Sequence, residues 1–247
     1  MKALVTGASS GIGKSIAMYL ASLGYDLYVV SQDRDELQTI YKGLKVKVVP
    51  IEIDLSSLDN LKKLYLQLKD KDIDILVNNA GFGDAGKFID TSLQKEMNMI
   101  DVNIRAYHVL TKLFLRDFTK KNRGRILNVA SMAGFMPGPY MACYYATKAY
   151  ILNLSLAISE ELSKDGSNVK ISVFCPGPVD TDFNRKAHVH FNIKEIDADV
   201  AAKLAVDGMF SNRLIIVPNN MKLNRFLVRI VPVKWLLYFN SFIQERN

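Results

Sequence analysis

Seven short apolar, β-branched runs punctuate this chain, and the segments between them keep a different period. The runs are Ala3-Leu4-Val5, Asp26-Leu27-Tyr28-Val29-Val30, Val46 to Ile51, Ile73 to Val77, Gly124 to Val129, Val169 to Phe174 and Leu214 to Val217. Between them, stretches such as Gly13 to Leu23 and Leu58 to Leu68 place leucines and isoleucines three and four residues apart, the period of a helix burying one face. This alternation predicts an α/β domain with a mostly parallel sheet, covered by helices on both faces. The chain has 247 residues, enough for one large core, and no linker, repeat or low-complexity stretch divides it. In such a sheet, ligands bind beyond the carboxyl ends of the strands, around the switch point in strand order. Functional residues are therefore expected just after each apolar run.

Unusual residues do fall there. The first run leads into Thr6-Gly7-Ala8-Ser9-Ser10-Gly11-Ile12-Gly13 and then a helix. Glycines at this point permit a tight turn and a close backbone approach to a pyrophosphate, which the N–H groups and dipole of the helix N-terminus stabilise. Taken alone, such a turn is equally an ordinary strand-to-helix connection. The fourth run ends in Asn78-Asn79-Ala80-Gly81 and the fifth in Ala130-Ser131-Met132-Ala133-Gly134. Further on, Tyr144 and Lys148 stand four apart, so a helix presents phenol and ammonium on one face. Tyr140 and Tyr145 lack a lysine at that spacing and are expected to pack or shape a pocket. Singly, Ser131 could be a turn residue, and Asn103 a partner for helix backbone.

Together these motifs resemble the short-chain dehydrogenase/reductase family from about Lys2 to Val217, in the family's order: Thr6-Gly-x-x-x-Gly-x-Gly13, Asn78-Asn-Ala-Gly81, Asn103, Ser131, Tyr144-x-x-x-Lys148 and Pro176-Gly177. The resemblance implies a single Rossmann-type domain with strand order 3-2-1-4-5-6-7. It also implies a catalytic set of Asn103, Ser131, Tyr144 and Lys148. Carbonyl reduction needs a hydride donor on one face and a proton donor at the oxygen, where negative charge develops. A phenol titrates near pH 10, and a neighbouring ammonium is expected to lower that value. By the same resemblance Lys148 also bonds the nicotinamide ribose, Asn103 holds a water linking Lys148 to solvent, and Ser131 fixes the substrate oxygen against Tyr144.

The dinucleotide contacts that the resemblance implies are Thr6, Gly7, Ser9, Ser10, Gly11, Ile12 and Gly13 in the turn, and Ser31, Gln32 and Arg34 after the second strand. They continue with Asp54 and Leu55 after the third, Asn79, Ala80 and Gly81 after the fourth, and Val102, Tyr144 and Lys148. Pro176, Gly177, Val179 and Thr181 after the sixth strand complete the set. The 2′ position is read at the end of the second strand, where an acid favours NAD and a basic residue NADP. Ser31 and Gln32 occupy the family's acidic and basic positions, and both can hydrogen-bond a phosphate that Arg34 could also reach. NADP(H) is therefore favoured over NAD(H), with Asp33 counting against it. Asp54 would bond adenine, or equally cap the helix after it. Residues 183–200 correspond to a substrate lid, made partly aromatic by Phe183 and Phe191. His188 and His190 within it lack a carboxylate or cysteine partner, and no metal is expected.

Composition narrows the rest. Cys143 and Cys175 form no pairing or metal motif, and the first residues lack a signal peptide, so a cytoplasmic location is expected. The formal charge of +7 invites a nucleic-acid reading, but Lys222, Arg225, Arg229, Lys234 and Arg246 against Glu245 put +4 of it after residue 220. The body is nearly neutral, and no nucleic-acid partner is expected. The chain thus divides into a catalytic domain, residues 1–220, and a basic, apolar extension, residues 221–247. Pro232 and the internal charges argue against a membrane-spanning helix there. The extension reads either as an interfacial helix on anionic lipid or as a segment folding over the cleft or contacting another subunit. The expected activity is NAD(P)-dependent interconversion of an apolar ketone or aldehyde with its alcohol, on a steroid-like, acyl or xenobiotic small molecule, by a homodimer or homotetramer. The alternative is a dinucleotide-binding regulator that has lost catalysis, against which Ser131, Tyr144 and Lys148 stand.

Overall fold

The computed structural model describes residues 1–181, Phe183 and residues 195–244. Seven parallel strands form one sheet, in the order β3-β2-β1-β4-β5-β6-β7 that the resemblance implied. They are β1 (Lys2–Thr6), β2 (Asp26–Ser31), β3 (Val48–Glu52), β4 (Ile75–Asn78), β5 (Arg125–Val129), β6 (Lys170–Phe174) and β7 (Ile215–Ile216). The order reverses between β1 and β4, so the turns after these two strands diverge and leave a crevice between them.

Each strand splits its side chains between two cores, as the two-residue period of a strand requires. Ala3, Val5, Leu27, Val29, Ile75, Val77, Leu127 and Val129 join one core. It is closed by α1 (Gly11–Ser22), α2 (Arg34–Ile40) and α7 (Ala198–Phe210). Leu4, Val30, Leu76 and Ile126 face the opposite side, where α3 (Leu58–Leu68), α5 (Tyr107–Lys121) and α6 (Ala142–Lys164) supply Leu61, Leu64, Phe114, Phe118 and Leu162. Helix α4 (Leu93–Ile100) runs into α5 through a π-helical turn, Asp101–Ala106.

β4 starts later than its apolar run, at Ile75, because Asp72 turns the chain with φ 52°, and the Asp74 carboxylate is engaged by the Lys2 N–H at 2.9 Å and by Arg123 at 3.0 Å. α7 begins at Ala198, capped by Asp197, and Ile196 bridges Val179, so the last residues of the range expected for a lid, 183–200, belong to a bridge and a helix. Residues 184–194 lie outside the described residues, and with them His188, His190 and Phe191.

Below the crevice the sheet carries a buried polar ladder. Asn78 Nδ2 donates to Thr111 Oγ1 at 3.0 Å and to Asn128 Oδ1 at 2.9 Å. Asn128 Nδ2 donates to Ser155 Oγ at 2.9 Å, and Ser155 donates to the Ile151 carbonyl. Polar groups inside a low-dielectric core are costly unless bonded, so this ladder fixes the register of β4, β5, α5 and α6. Asn128→Ala strips partners from Asn78 and Ser155 together. It should lower unfolding free energy by about 2 kcal/mol, seen as a reduced urea midpoint with little change in slope.

Candidate active site

The crevice between the β1 and β4 turns is built by backbone approach. A Cβ on Gly13 would overlap the Gly7 carbonyl oxygen and the Asn79 side-chain amide, and one on Gly7, at φ 64°, would lie 2.7 Å from the Ala80 Cα. Only glycine fits either position. Asn79 Nδ2 ties the two turns, donating to the Thr6 and Gly7 carbonyls at 3.1 and 3.0 Å, while Thr6 Oγ1 accepts the N–H groups of Asn79 and Ala80. Side chains cap α2, α3, α4 and α7, but Ser10 makes no such bond at the start of α1. The first N–H groups of α1 therefore keep their affinity for an anion.

From this cradle a cleft of about 400 Å³ runs over the carboxyl ends of β1, β4, β5 and β6. Of the residues expected to contact a dinucleotide, Gly7, Ser9, Ser10, Gly11, Ile12, Asn79, Ala80, Gly81, Tyr144, Lys148, Pro176, Gly177, Val179 and Thr181 line it, and Ser131 joins them. Thr6 and Gly13 lie beneath, as supports. Leu55 is buried in the core, and Val102 lies within the π turn. Ser31 ends β2, Gln32 and Arg34 follow it, and none of the three lines the cleft. Asp33 is committed to capping α2, its Oδ1 accepting the Glu36 N–H at 2.9 Å. Asp54 does not cap α3, a task that falls to Ser57. It accepts from the Ser56 N–H, the Ser56 hydroxyl and Gln32, and these bonds hold its carboxyl below the usual range.

At the floor of the cleft, Tyr144 and Lys148 project from the first two turns of α6, and Ser131 from the loop after β5. Ser131 Oγ accepts the Ala133 N–H at 3.1 Å and shares a hydrogen bond with Tyr144. Lys148 Nζ donates to the Val129 carbonyl at 3.1 Å, with the Tyr107 and Tyr144 ring centres 5.6 and 5.7 Å away. One electrostatic expectation is overturned. Burial pushes the Tyr144 phenol above its ordinary value, opposed chiefly by the Ser131 bond; Lys148, turned toward Val129, is not what sets it. Burial also penalises the ammonium itself, bringing Lys148 down to about 8.

Asn103 is fully buried in the π turn. Its Oδ1 accepts the Phe82 N–H, and its Nδ2 donates to the Phe82 carbonyl and to Thr147 Oγ1, so both amide hydrogens are taken by protein. It pins the loop after β4 to α6. The apolar end of the cleft contains residues that periodicity did not flag: Met132, Met136, Met141 and Met221, with Tyr145 and Phe183. Phe183 packs 5.4 Å from the Tyr144 ring, and its edge lies 2.9 Å from where a Cβ at position 83 would stand. Asn224 and Asn240, from α8 (Lys222–Ile230) and α9 (Val233–Gln244), complete the wall. Asn240 donates to the Pro137 carbonyl at 3.0 Å. The extension thus folds over the cleft, one of the two dispositions that its composition left open.

A glycine cradle at a sheet switch point, opening onto a half-buried phenol and hydroxyl and a buried ammonium, describes a nucleotide-dependent oxidoreductase. Residues 1–190 match the family described as short chain dehydrogenase, and the chain belongs to that family. It is 37% identical over 186 residues, 75% of this chain and 72% of the relative, to an uncharacterized short-chain type dehydrogenase/reductase of Sinorhizobium fredii. It is 34% identical over 178 residues to a very-long-chain 3-oxoacyl-CoA reductase of Ajellomyces capsulatus, spanning 68% of this chain and about half, 52%, of that protein. The structure of a short-chain dehydrogenase from Sphingobium yanoikuyae in complex with NADPH superposes with a TM-score of 0.84 at 28% identity, covering 91% of this chain and 90% of that one.

The buried lysine makes stability pH-dependent. The folded protein releases the Lys148 proton near pH 8, whereas the unfolded chain holds it to the ordinary 10.5. Between these values the unfolded state binds more protons, so this group's contribution to stability rises with pH, and below 8 the buried charge is a full cost. Lys148→Met, measured without added nucleotide, should be more stable than the parent at pH 7 by about 2 kcal/mol, the desolvation cost less the hydrogen bond to Val129. Thermal melts should show the advantage fading toward pH 10.

Proposed function

We propose that this protein reduces an apolar ketone or aldehyde to its alcohol, and runs the reverse reaction, with Tyr144 exchanging the proton. The observation that carries this reading is the convergence of Tyr144, Ser131 and Lys148 at the floor of one cleft whose other end is the glycine cradle. The cradle suits a dinucleotide: Gly7 and Gly11 leave backbone facing the cleft, Gly13 lets α1 come down onto the turn, and α1 offers uncapped N–H groups. A bound nicotinamide would supply the hydride.

The protein's own groups handle the oxygen and its proton. Burial keeps the Tyr144 phenol protonated at neutral pH, ready to donate to a carbonyl oxygen as charge develops on it. The Ser131 hydroxyl, bonded to Tyr144, would hold that oxygen in place. Lys148, drawn toward neutrality by burial, can take up or release a proton near pH 8, which suits a relay partner bonding the nicotinamide ribose. The side-chain hydrogens of Asn103 being taken, the backbone of its π turn is the place for a relay water. Residues 1–220 serve as the catalytic domain, and the assembly is a homodimer or homotetramer.

NADP(H) is the preferred cofactor in this reading. Asp33, the acid that argued for NAD, is occupied as a helix cap, and Arg34 follows it at the start of α2. The NADPH bound by the Sphingobium yanoikuyae relative lends support. The methionine-rich end of the cleft points to an apolar substrate, because thioether chains adapt to varied apolar shapes. The 3-oxoacyl-CoA reductase relative favours an acyl-chain ketone among the apolar candidates.

Two measurements test the reading. Fluorescence titration should give a tighter Kd for NADPH than for NADH, and the reverse order would overturn the cofactor assignment. Tyr144→Phe should lower ketone turnover by roughly 10²-fold or more while leaving NADPH affinity within about twofold of the parent. Equal turnover would remove Tyr144 from the mechanism.

A further inference from the structure

Helices α8 and α9 present two unlike faces. The inner face roofs the cleft: Met221 is buried against Gly177, Arg225 lies over the Phe135 ring, and Asn240 bonds Pro137. The outer face of α8 carries Leu223, Phe226, Leu227 and Ile230, spaced to form one helical stripe and 65%, 60%, 40% and 60% exposed. Beyond Pro232, Val233, Trp235 and Tyr238 on α9 are also exposed. Single exposed apolar residues are ordinary, but a stripe of four on one helix face marks a docking surface. Its charge identifies the occupant. From Met221 to Gln244 the chain has no acidic residue, and of its basic ones Lys222 and Lys234 are exposed, while Arg225 belongs to the inner face. No helix among the described residues is long and apolar enough to cross a membrane.

We propose that this strip seats the protein on an anionic bilayer surface. Leu223, Phe226 and Ile230 enter the acyl boundary, Trp235 and Tyr238 lie at headgroup level, and the lysines meet lipid phosphates. Apposing two copies of the strip would set cationic face against cationic face, which disfavours a second chain as the partner. The cleft mouth, walled by the other side of the same helices, then opens at the membrane. Resting on the reductase reading for this clause, the substrate is a lipid-borne carbonyl that enters from the bilayer without crossing water.

The test uses the full chain and sedimentation with vesicles of phosphatidylcholine alone or with about a third phosphatidylserine. The protein should pellet only with the anionic vesicles, and less as salt is raised from about 0.05 to 0.5 M. Leu223→Gln, Phe226→Gln and Ile230→Gln together should weaken that binding by roughly tenfold or more. The triple variant should keep turnover of a water-soluble ketone and lose turnover of a ketone dissolved in the vesicles. Should it fail to fold, Lys222→Gln with Lys234→Gln leaves the apolar strip intact and should weaken anionic binding alone. Absent pelleting, pelleting that the substitutions do not change, or a triple variant whose mass in light scattering drops to a smaller oligomer would each overturn the proposal, the last by assigning the strip to a second copy. Pelleting that persists with no ketone turnover by the parent would overturn the reductase reading and leave the docking intact.

Discussion

The side-chain amide of Asn79 holds the carbonyls of Thr6 and Gly7, and much of the molecule depends on that joint. Strands β1 and β4 are neighbours, yet their helices leave to opposite faces of the sheet, so the turns after them pull apart. Without a tie, the crevice would vary in width as each turn moved. Asn79 and the Thr6 hydroxyl close it from below, and Gly13 lets α1 descend until its backbone meets Gly7. The uncapped end of α1, the loop carrying Phe82 and, through Asn103, the base of α6 are all placed with reference to this joint.

Burial is the second organising constraint, and it acts on both sides of the site at once. The same exclusion of water that keeps a phenol protonated makes an ammonium expensive, so Tyr144 and Lys148 are pushed from opposite directions toward neutrality. At neutral pH Lys148 keeps most of its charge but lies close to releasing it. The polar ladder from Thr111 to Ser155 lies beneath it as a rigid bed, satisfied almost entirely within the protein.

The sheet was legible in the sequence because strands and helices differ in local period, while its order and most of the cleft lining followed only from the family resemblance that the short motifs at strand ends carry. The Tyr144 and Lys148 pair needed only helical spacing. What escaped was whatever depends on long-range approach. Three methionines of the apolar end, Met132, Met136 and Met141, come from the connection between β5 and α6, and Met221 joins them from far along the chain, so no single period reveals the set. Asn240 lies far along the chain from the Pro137 carbonyl that it bonds. The role of Asp33 was also hidden, since a carboxylate after a strand reads alike as a ribose partner or a helix cap until its hydrogen bond is seen. The effect of Lys148 on Tyr144 was misjudged because spacing reveals proximity but not which way an ammonium turns.

The π turn from Asp101 to Ala106 makes chain length, more than residue identity, the critical quantity in that stretch. A wider turn accommodates an extra residue within a rod that is otherwise α-helical on both sides. Removing one residue would restore uniform pitch and leave the helices on either side close to their present faces, because the wide turn already absorbs the extra residue. The bulge that aims Asn103 at Phe82 and Thr147 would be lost, while the buried face of α5 stayed on the sheet. A one-residue deletion there would spare the fold and cost the site. Gaps in this helix should therefore be rarer among functional descendants of this chain than its tolerance of point changes would suggest.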